Sequence, residues 1–160
     1  LIADTSVGKD LTDKAELTNL LRRLFSSQLL TVLGTQSKSG PYGNLVAFAA
    51  TDDLKWLLFA TTRATRKYYN LLETPRVSMV MDNRSNDQDD FHGAVAVTAT
   101  GAVKEIHGSE RERLQKAYLA KHPYLIDFVT APTCALLKVE VETYYIVRQF
   151  QQVVELHIKQ

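Results

Sequence analysis

Apolar positions near the start of the chain recur at helical spacing and then change period. Leu17, Leu20, Leu21, Leu24 and Phe25 follow the i, i+3, i+4, i+7 spacing of one buried helix face, and Arg22 and Arg23 fall off it. Asp13 with Glu16 three residues on reads as a capping pair, so the spacing predicts a helix from near Asp13. The small polar residues 1–10 ahead of it read as a flexible arm, and residues 11–160 as one domain. From residue 29 the pattern is β. Segments 29–36, 44–51 and 55–61 are apolar runs separated by the polar turns 37–41 and Asp52-Asp53, which predicts an antiparallel meander.

A short helix is predicted over 65–73 and ended by Pro75, then a strand over 76–82 carrying Val77, Met79, Val80 and Met81. Residues 83–91 are polar and acidic and read as a mobile loop. A long β stretch of alternating Val, Thr and Ala covers 94–106. Ser109 with Glu112 forms a capping-box pattern for a helix to about residue 121, with a further turn over 124–130. Residues 135–156 carry two β-rich runs. About seven strands and three helices in this order predict a mainly β, α+β fold: a six- to seven-stranded antiparallel sheet closed into a barrel, with peripheral helices. Strict β-α-β alternation is missing and no Gly-x-Gly-x-x-Gly occurs, so a Rossmann-type parallel sheet is disfavoured.

Composition adds mostly exclusions. The chain has 160 residues, enough for one core, and a net charge of +1, which speaks against a general nucleic-acid binder. Cys134, the single cysteine, rules out an internal disulfide and reads as a buried small hydrophobe, which suits a reducing cytoplasm. No apolar run reaches the length of a membrane span. His92, His107, His122 and His157 show no metal-ligand spacing, and Asp87, Asp89 and Asp90 lack the companions of a calcium loop.

The chemistry concentrates where a strand ends at Thr61 and a helix opens at Thr65. Arg63, Arg66, Lys67 and Arg76 crowd this segment against one acid, Glu73. Helix N-termini offer unpaired N–H groups and partial positive charge to a phosphate, and threonine hydroxyls and an arginine fork can add to them. Cations in a first helical turn oppose the macrodipole by a few tenths to about 1 kcal/mol each, a cost that an anion between them would reverse. Charge pattern alone leaves a solvated basic turn equally open.

Phe59-Ala60-Thr61, then Arg66-Lys67, then Pro75-Arg76-Val77-Ser78 resembles the signature of the pyridoxamine 5′-phosphate oxidase-like, FMN-binding split-barrel superfamily, over roughly residues 15–155. The strand end Asp82-Asn83-Arg84-Ser85-Asn86 fits its related-protein branch. The resemblance implies FMN as cofactor, with Ala60, Thr61, Thr62, Thr65, Arg66 and Lys67 at its phosphate and ribityl end. Leu45, Val46, Ala47 and Phe48 would line the isoalloxazine, largely through backbone groups. Asn83 and Gln88 would approach the ring, from the same or the other subunit. It also implies a homodimer with the flavin cleft at the interface.

Departures bear on the substrate. The oxidase grips its substrate phosphate with Tyr, Arg and Ser on a later helix and its exit. Here Tyr118 is retained, His122 replaces the Arg and Ile126 the Ser. The charges that the oxidase places at the ends of the isoalloxazine strand are missing too, and its C-terminal arginine- and histidine-bearing tail has no counterpart in the last residues. The expectation is an FMN-binding oxidoreductase acting on an unknown small molecule other than pyridoxamine phosphate, with no side chain singled out as acid or base. Two other readings keep the barrel. One is a non-redox or sensor domain for haem or another phosphorylated ligand, and the other a deazaflavin-dependent reductase.

Overall fold

The computed structural model describes residues 5–149 and 152–158, with side chains from Asp13 onward. Its elements in chain order are α1 (Thr5–Ser27), β1 (Leu30–Ser37), β2 (Gly40–Ala50), β3 (Trp56–Thr62), α2 (Arg66–Glu73), β4 (Arg76–Asp82), α3 (Asp90–Gly93), β5 (Val95–Glu105), α4 (Gly108–Lys121), a 3₁₀ turn (Pro123–Leu125), α5 (Ile126–Thr130), β6 (Cys134–Arg148) and β7 (Gln152–His157). The strands are hydrogen-bonded in the order β3-β2-β1-β4-β5-β6-β7, all antiparallel. A further pairing of β3 with β6 closes the first six into a barrel. This is the mainly β barrel with peripheral helices that the sequence predicts.

One strand performs the closure. One edge of β6 runs along β5, while its other edge takes β3 at Cys134 to Glu140 and then β7 at Thr143 to Arg148. The register of β5 against β6 shifts at Thr100/Gly101, and a Cβ on Gly101 would stand 2.1 Å from the Glu140 carbonyl oxygen. Only glycine fits that bulge, and the bend it gives helps β5 and β6 curl round.

Two apolar clusters follow from the strand periodicity. Inside the barrel lie Leu33, Phe48, Leu57, Phe59, Val77, Met79, Met81, Val97 and Tyr144, met by Leu17, Leu21, Leu24 and Phe25 of α1. The helix face read from its spacing is therefore the face that plugs the barrel, with Leu20 partly buried beside it. Outside the barrel, Ala49, Leu58, Ala60, Cys134 and Leu136 are covered by Leu114 and Tyr118 of α4 and by Val129 of α5. β3 is thus buried on both faces, which is why Leu57-Leu58-Phe59-Ala60 reads as an unbroken apolar run. A strand clamped in this way delivers Thr61 to a fixed place.

Several boundaries differ from expectation. α1 begins at Thr5, ahead of Asp13, so the Asp13/Glu16 pair lies inside a helix. Residues 5–10 of the expected arm are helical backbone, and residues 1–4 lie outside the described residues. The first hairpin turns on Lys38 and Ser39 alone, because Gly40 at φ 113° lets Ser37 and Gly40 pair directly, and β2 starts there. The Ser109/Glu112 box does not form: α4 opens at Gly108, two residues ahead of the start that a Ser109 cap sets, and its N-cap, His107, makes no side-chain bond. Residues 83–93 hold the short helix α3, and the Asp90 carboxylate accepts the N–H groups of Ser85 (2.8 Å), Asn86 (2.7 Å) and Asp87 (3.3 Å). Those backbone donors, Ser85 first, hold the Asp90 carboxyl below its ordinary pKa.

Candidate functional site

The segment from β3 into α2 is organised by threonine hydroxyls. Thr65 is the N-cap of α2, and its Oγ1 accepts the Tyr68 N–H at 3.4 Å. The same hydroxyl donates to the Thr62 carbonyl oxygen at 3.0 Å, which leaves Thr61, 2% exposed, to donate to Thr65 Oγ1 at 3.0 Å. A hydroxyl has one proton to donate, so Thr61 and Thr65 shape the turn and have no donor to spare for a ligand in this arrangement. Ligand donors must come from the cations and from the backbone N–H groups of the first helical turn.

Those cations divide into two pairs. Arg63 forms an ion pair with Glu105, and its Nη1 donates to the Pro132 carbonyl oxygen at 3.0 Å. Tyr68 donates its hydroxyl to the same Glu105 carboxylate at 2.8 Å. Burial pushes Glu105 up, but the Tyr68 and Arg63 bonds outweigh it and leave the carboxyl below its ordinary pKa. Arg76 grips Glu142 through Nη1 and Nη2, at 2.6 and 2.8 Å. The single-acid count from sequence therefore needs correcting. Glu105 and Glu142 are far away along the chain and reach Arg63 and Arg76 only through the pairings of β5 and β6.

Arg66 and Lys67 are different. Among the described residues neither has a carboxylate within ion-pair distance. Arg66 is exposed, with its guanidinium carbon 5.3 Å from the centre of the Tyr42 ring. Lys67 is half-buried, and that burial lowers its ammonium pKa with no opposing influence. Tyr42 was not visible as a site residue from sequence, because its approach depends on the β1/β2 hairpin reaching α2.

Beyond the turn the expected residues scatter. On β2, Leu45 is 63% exposed and Ala47 half-buried, whereas Val46 and Phe48 point into the barrel and offer a ligand only backbone atoms. Leu45 pairs across to Val32, and Leu30 to Ala47, so an exposed apolar strip runs over the outer face of β1 and β2. Asn83 uses its Oδ1 to accept the Val95 N–H at 2.7 Å, and Gln88 is exposed. Both follow the far end of β4, opposite the end that α2 enters, so one protomer does not bring them to the 61–67 turn.

The helix-exit residues are taken up internally. Tyr118, 1% exposed, donates its hydroxyl to the Ala47 carbonyl oxygen at 3.1 Å. His122, also 1% exposed, sets Nε2 2.8 Å from the Phe48 carbonyl oxygen, which requires the proton on Nε2 and leaves Nδ1 a buried acceptor without a partner among the described residues. Burial holds the Tyr118 hydroxyl well above, and the His122 ring below, its ordinary pKa. Ile126 is 51% exposed on α5. Two clefts, of about 460 and 390 Å³, lie beside α4 and the turn after β2, the larger also against α1, and none of the predicted site residues lines them.

Comparison with known proteins agrees with this fold. A family model described as pyridoxamine 5′-phosphate oxidase matches residues 17–148. No curated protein matches. General Stress Protein 26 from Bacillus anthracis str. Sterne superposes with a TM-score of 0.69 at 19% identity, covering 89% of this chain and 98% of that one. A haem-binding protein from Mycobacterium smegmatis gives 0.74 at 16% identity, over 84% of this chain and 55% of its own. A FAD-binding protein from Mesorhizobium loti gives 0.61 at 19%, over 80% and 90%. At these identities the structures establish the shared fold.

Proposed function

Since the chain belongs to the pyridoxamine 5′-phosphate oxidase family, we propose that it binds FMN at the 61–67 turn and serves as a flavin-dependent oxidoreductase for a small molecule other than pyridoxamine phosphate. One observation carries the reading. Of the four cations between residues 63 and 76, Arg63 and Arg76 are neutralised by carboxylates, while Arg66 and Lys67, at the start of α2, are left without one among the described residues. An unpaired cation at a helix start, one of them partly desolvated, is unfavourable until an anion arrives. A phosphate monoester supplies two charges and acceptor oxygens for a guanidinium fork, an ammonium and the helix N–H groups.

The residues present fit the phosphate end of FMN. Arg66 and Lys67 hold the charge, the first N–H groups of α2 complete the cradle, and Thr61, Thr62 and Thr65 fix its shape. Leu45 and Ala47 offer apolar contact to a ring laid along β2, with Val46 and Phe48 contributing backbone. When bound, the isoalloxazine supplies the redox chemistry, and the protein supplies orientation and exclusion of water. The fit to pyridoxamine phosphate is poor, because Tyr118 and His122 already bond to β2 carbonyls and Ile126 brings no hydroxyl.

The exposed strip of Leu30, Val32 and Leu45 supports a homodimer with the cleft at its interface, to which Asn83 and Gln88 of the second copy would contribute. The buried Cys134 thiol accords with a cytoplasmic setting. Heat release of the copurified ligand and identification by mass tests the reading: FMN is expected, and haem, a deazaflavin or no ligand after reconstitution would sink it. Gel filtration at micromolar concentration should show a dimer.

A further inference from the structure

Thr35 of β1 and Tyr42 of β2 are direct cross-strand partners. Arg66 and Asn70 stand one helical turn apart on the same face of α2. The two pairs meet. Asn70, 6% exposed, donates from Nδ2 to Thr35 Oγ1 at 3.0 Å, and that hydroxyl donates on to the Tyr42 carbonyl oxygen at 3.4 Å. One turn earlier, the Arg66 guanidinium lies over the Tyr42 ring at 5.3 Å. The buried relay fixes how far α2 stands from the hairpin, and the ring then meets Arg66, which is exposed and without a carboxylate among the described residues.

From this we infer that Tyr42 is a positioning residue for ligand phosphate, acting through Arg66; the inference rests on the FMN reading above. An exposed arginine samples many rotamers and must give them up to bind. A ring beside the guanidinium narrows that choice beforehand and leaves the N–H donors free for phosphate oxygens, whereas a carboxylate partner would compete for them. Arg63, held by Glu105, shows what such competition looks like on the same turn. Tyr42 belongs to the outer edge of the site, 37% exposed, so its loss does not open the core.

The test is a flavin-fluorescence titration of the full apo-protein with FMN and with riboflavin, which lacks the phosphate. Tyr42→Ala and Tyr42→Leu should each weaken FMN binding roughly two- to sixfold, the range of an exposed cation–π contact, and leave riboflavin binding unchanged. Tyr42→Phe keeps the ring and should stay within about twofold of wild type. In an Arg66→Ala background, Tyr42→Ala should have no further effect on FMN. Equal losses for both flavins, or an undiminished Tyr42→Ala effect without Arg66, would overturn the inference. If wild type prefers FMN and Tyr42→Ala keeps that full preference, only the Tyr42 role falls. If wild type does not distinguish FMN from riboflavin, the phosphate reading falls and this role with it.

Discussion

The start of α2 and the exit of α4 both correspond to ligand-gripping segments in the resembled oxidase, yet this chain treats them in opposite ways. At α2, Arg66 and Lys67 stand without a carboxylate partner among the described residues and are within reach of solvent. At α4, Tyr118 and His122 are buried and bonded to consecutive carbonyls of β2. One segment leaves its cationic side chains without a carboxylate among the described residues, and the other uses its hydrogen-bonding capacity to hold a helix on a barrel. The two segments therefore lead to opposite expectations. Substitutions at α2 should change binding and spare the fold, and substitutions at α4 should do the reverse.

The largest effect tests the first half of that contrast. Replacing Arg66 and Lys67 together by Ala removes two charge-assisted contacts of about 1.5–3 kcal/mol each. FMN affinity should fall by roughly 10²- to 10⁴-fold, as read by fluorescence titration, while the apo-protein melts within a few degrees of wild type. Undiminished FMN affinity would move the ligand away from this turn.

Tyr118→Phe probes the other half. It leaves the Ala47 carbonyl without its donor in a buried place, a loss of about 1–3 kcal/mol in urea unfolding. FMN affinity should hold within about threefold, a difference smaller than one ordinary hydrogen bond. A stable Tyr118→Phe protein that no longer retained flavin would mean that α4 faces the ligand after all.

His122 extends the contrast to pH. Burial lowers its folded pKa below the ordinary 6.5, with the Lys121 charge adding to the effect and the Phe48 carbonyl opposing it. As pH falls below 6.5 the unfolded chain takes up this proton and the folded chain resists, so stability declines toward acid. His122→Gln, which keeps a donor for the Phe48 carbonyl, should flatten that part of the curve in melts between pH 7 and 5. A wild-type curve no steeper than the variant's would show that the ring accepts its proton in place.

What the sequence revealed and what it hid divide along contact range. The α1 face, the doubly buried β3 run and the placing of Thr61, Arg66 and Lys67 at a strand-to-helix turn were legible, because periodicity and turn chemistry are local. The charge state of the turn was not. Glu105 and Glu142 neutralise Arg63 and Arg76 across pairings tens of residues apart, and no spacing rule reports which acid a closed barrel will bring alongside. Tyr42 stayed hidden for the same reason. The hydroxyls of Thr61 and Thr65 were legible by identity and not by geometry: they bond to each other and to the Thr62 carbonyl, a pattern that no spacing rule reports.

Lys67 offers the smallest but most pointed test. Its ammonium is half-buried with no carboxylate partner among the described residues, so in the apo-protein its charge is carried at a loss. Methionine has a similar unbranched stem and no charge to desolvate. Lys67→Met should therefore leave apo stability unchanged or raise it by about 0.5 kcal/mol at most, a shift of one or two degrees. The same change removes one charge-assisted contact to phosphate and should weaken FMN roughly tenfold or more. Stability and affinity moving in opposite directions at one residue is what a site kept for an absent anion predicts, because the cost is borne by the empty protein and recovered only on binding. If Lys67→Met instead lowered stability and left FMN binding alone, the stem would be packing the barrel mouth and the ammonium would be incidental.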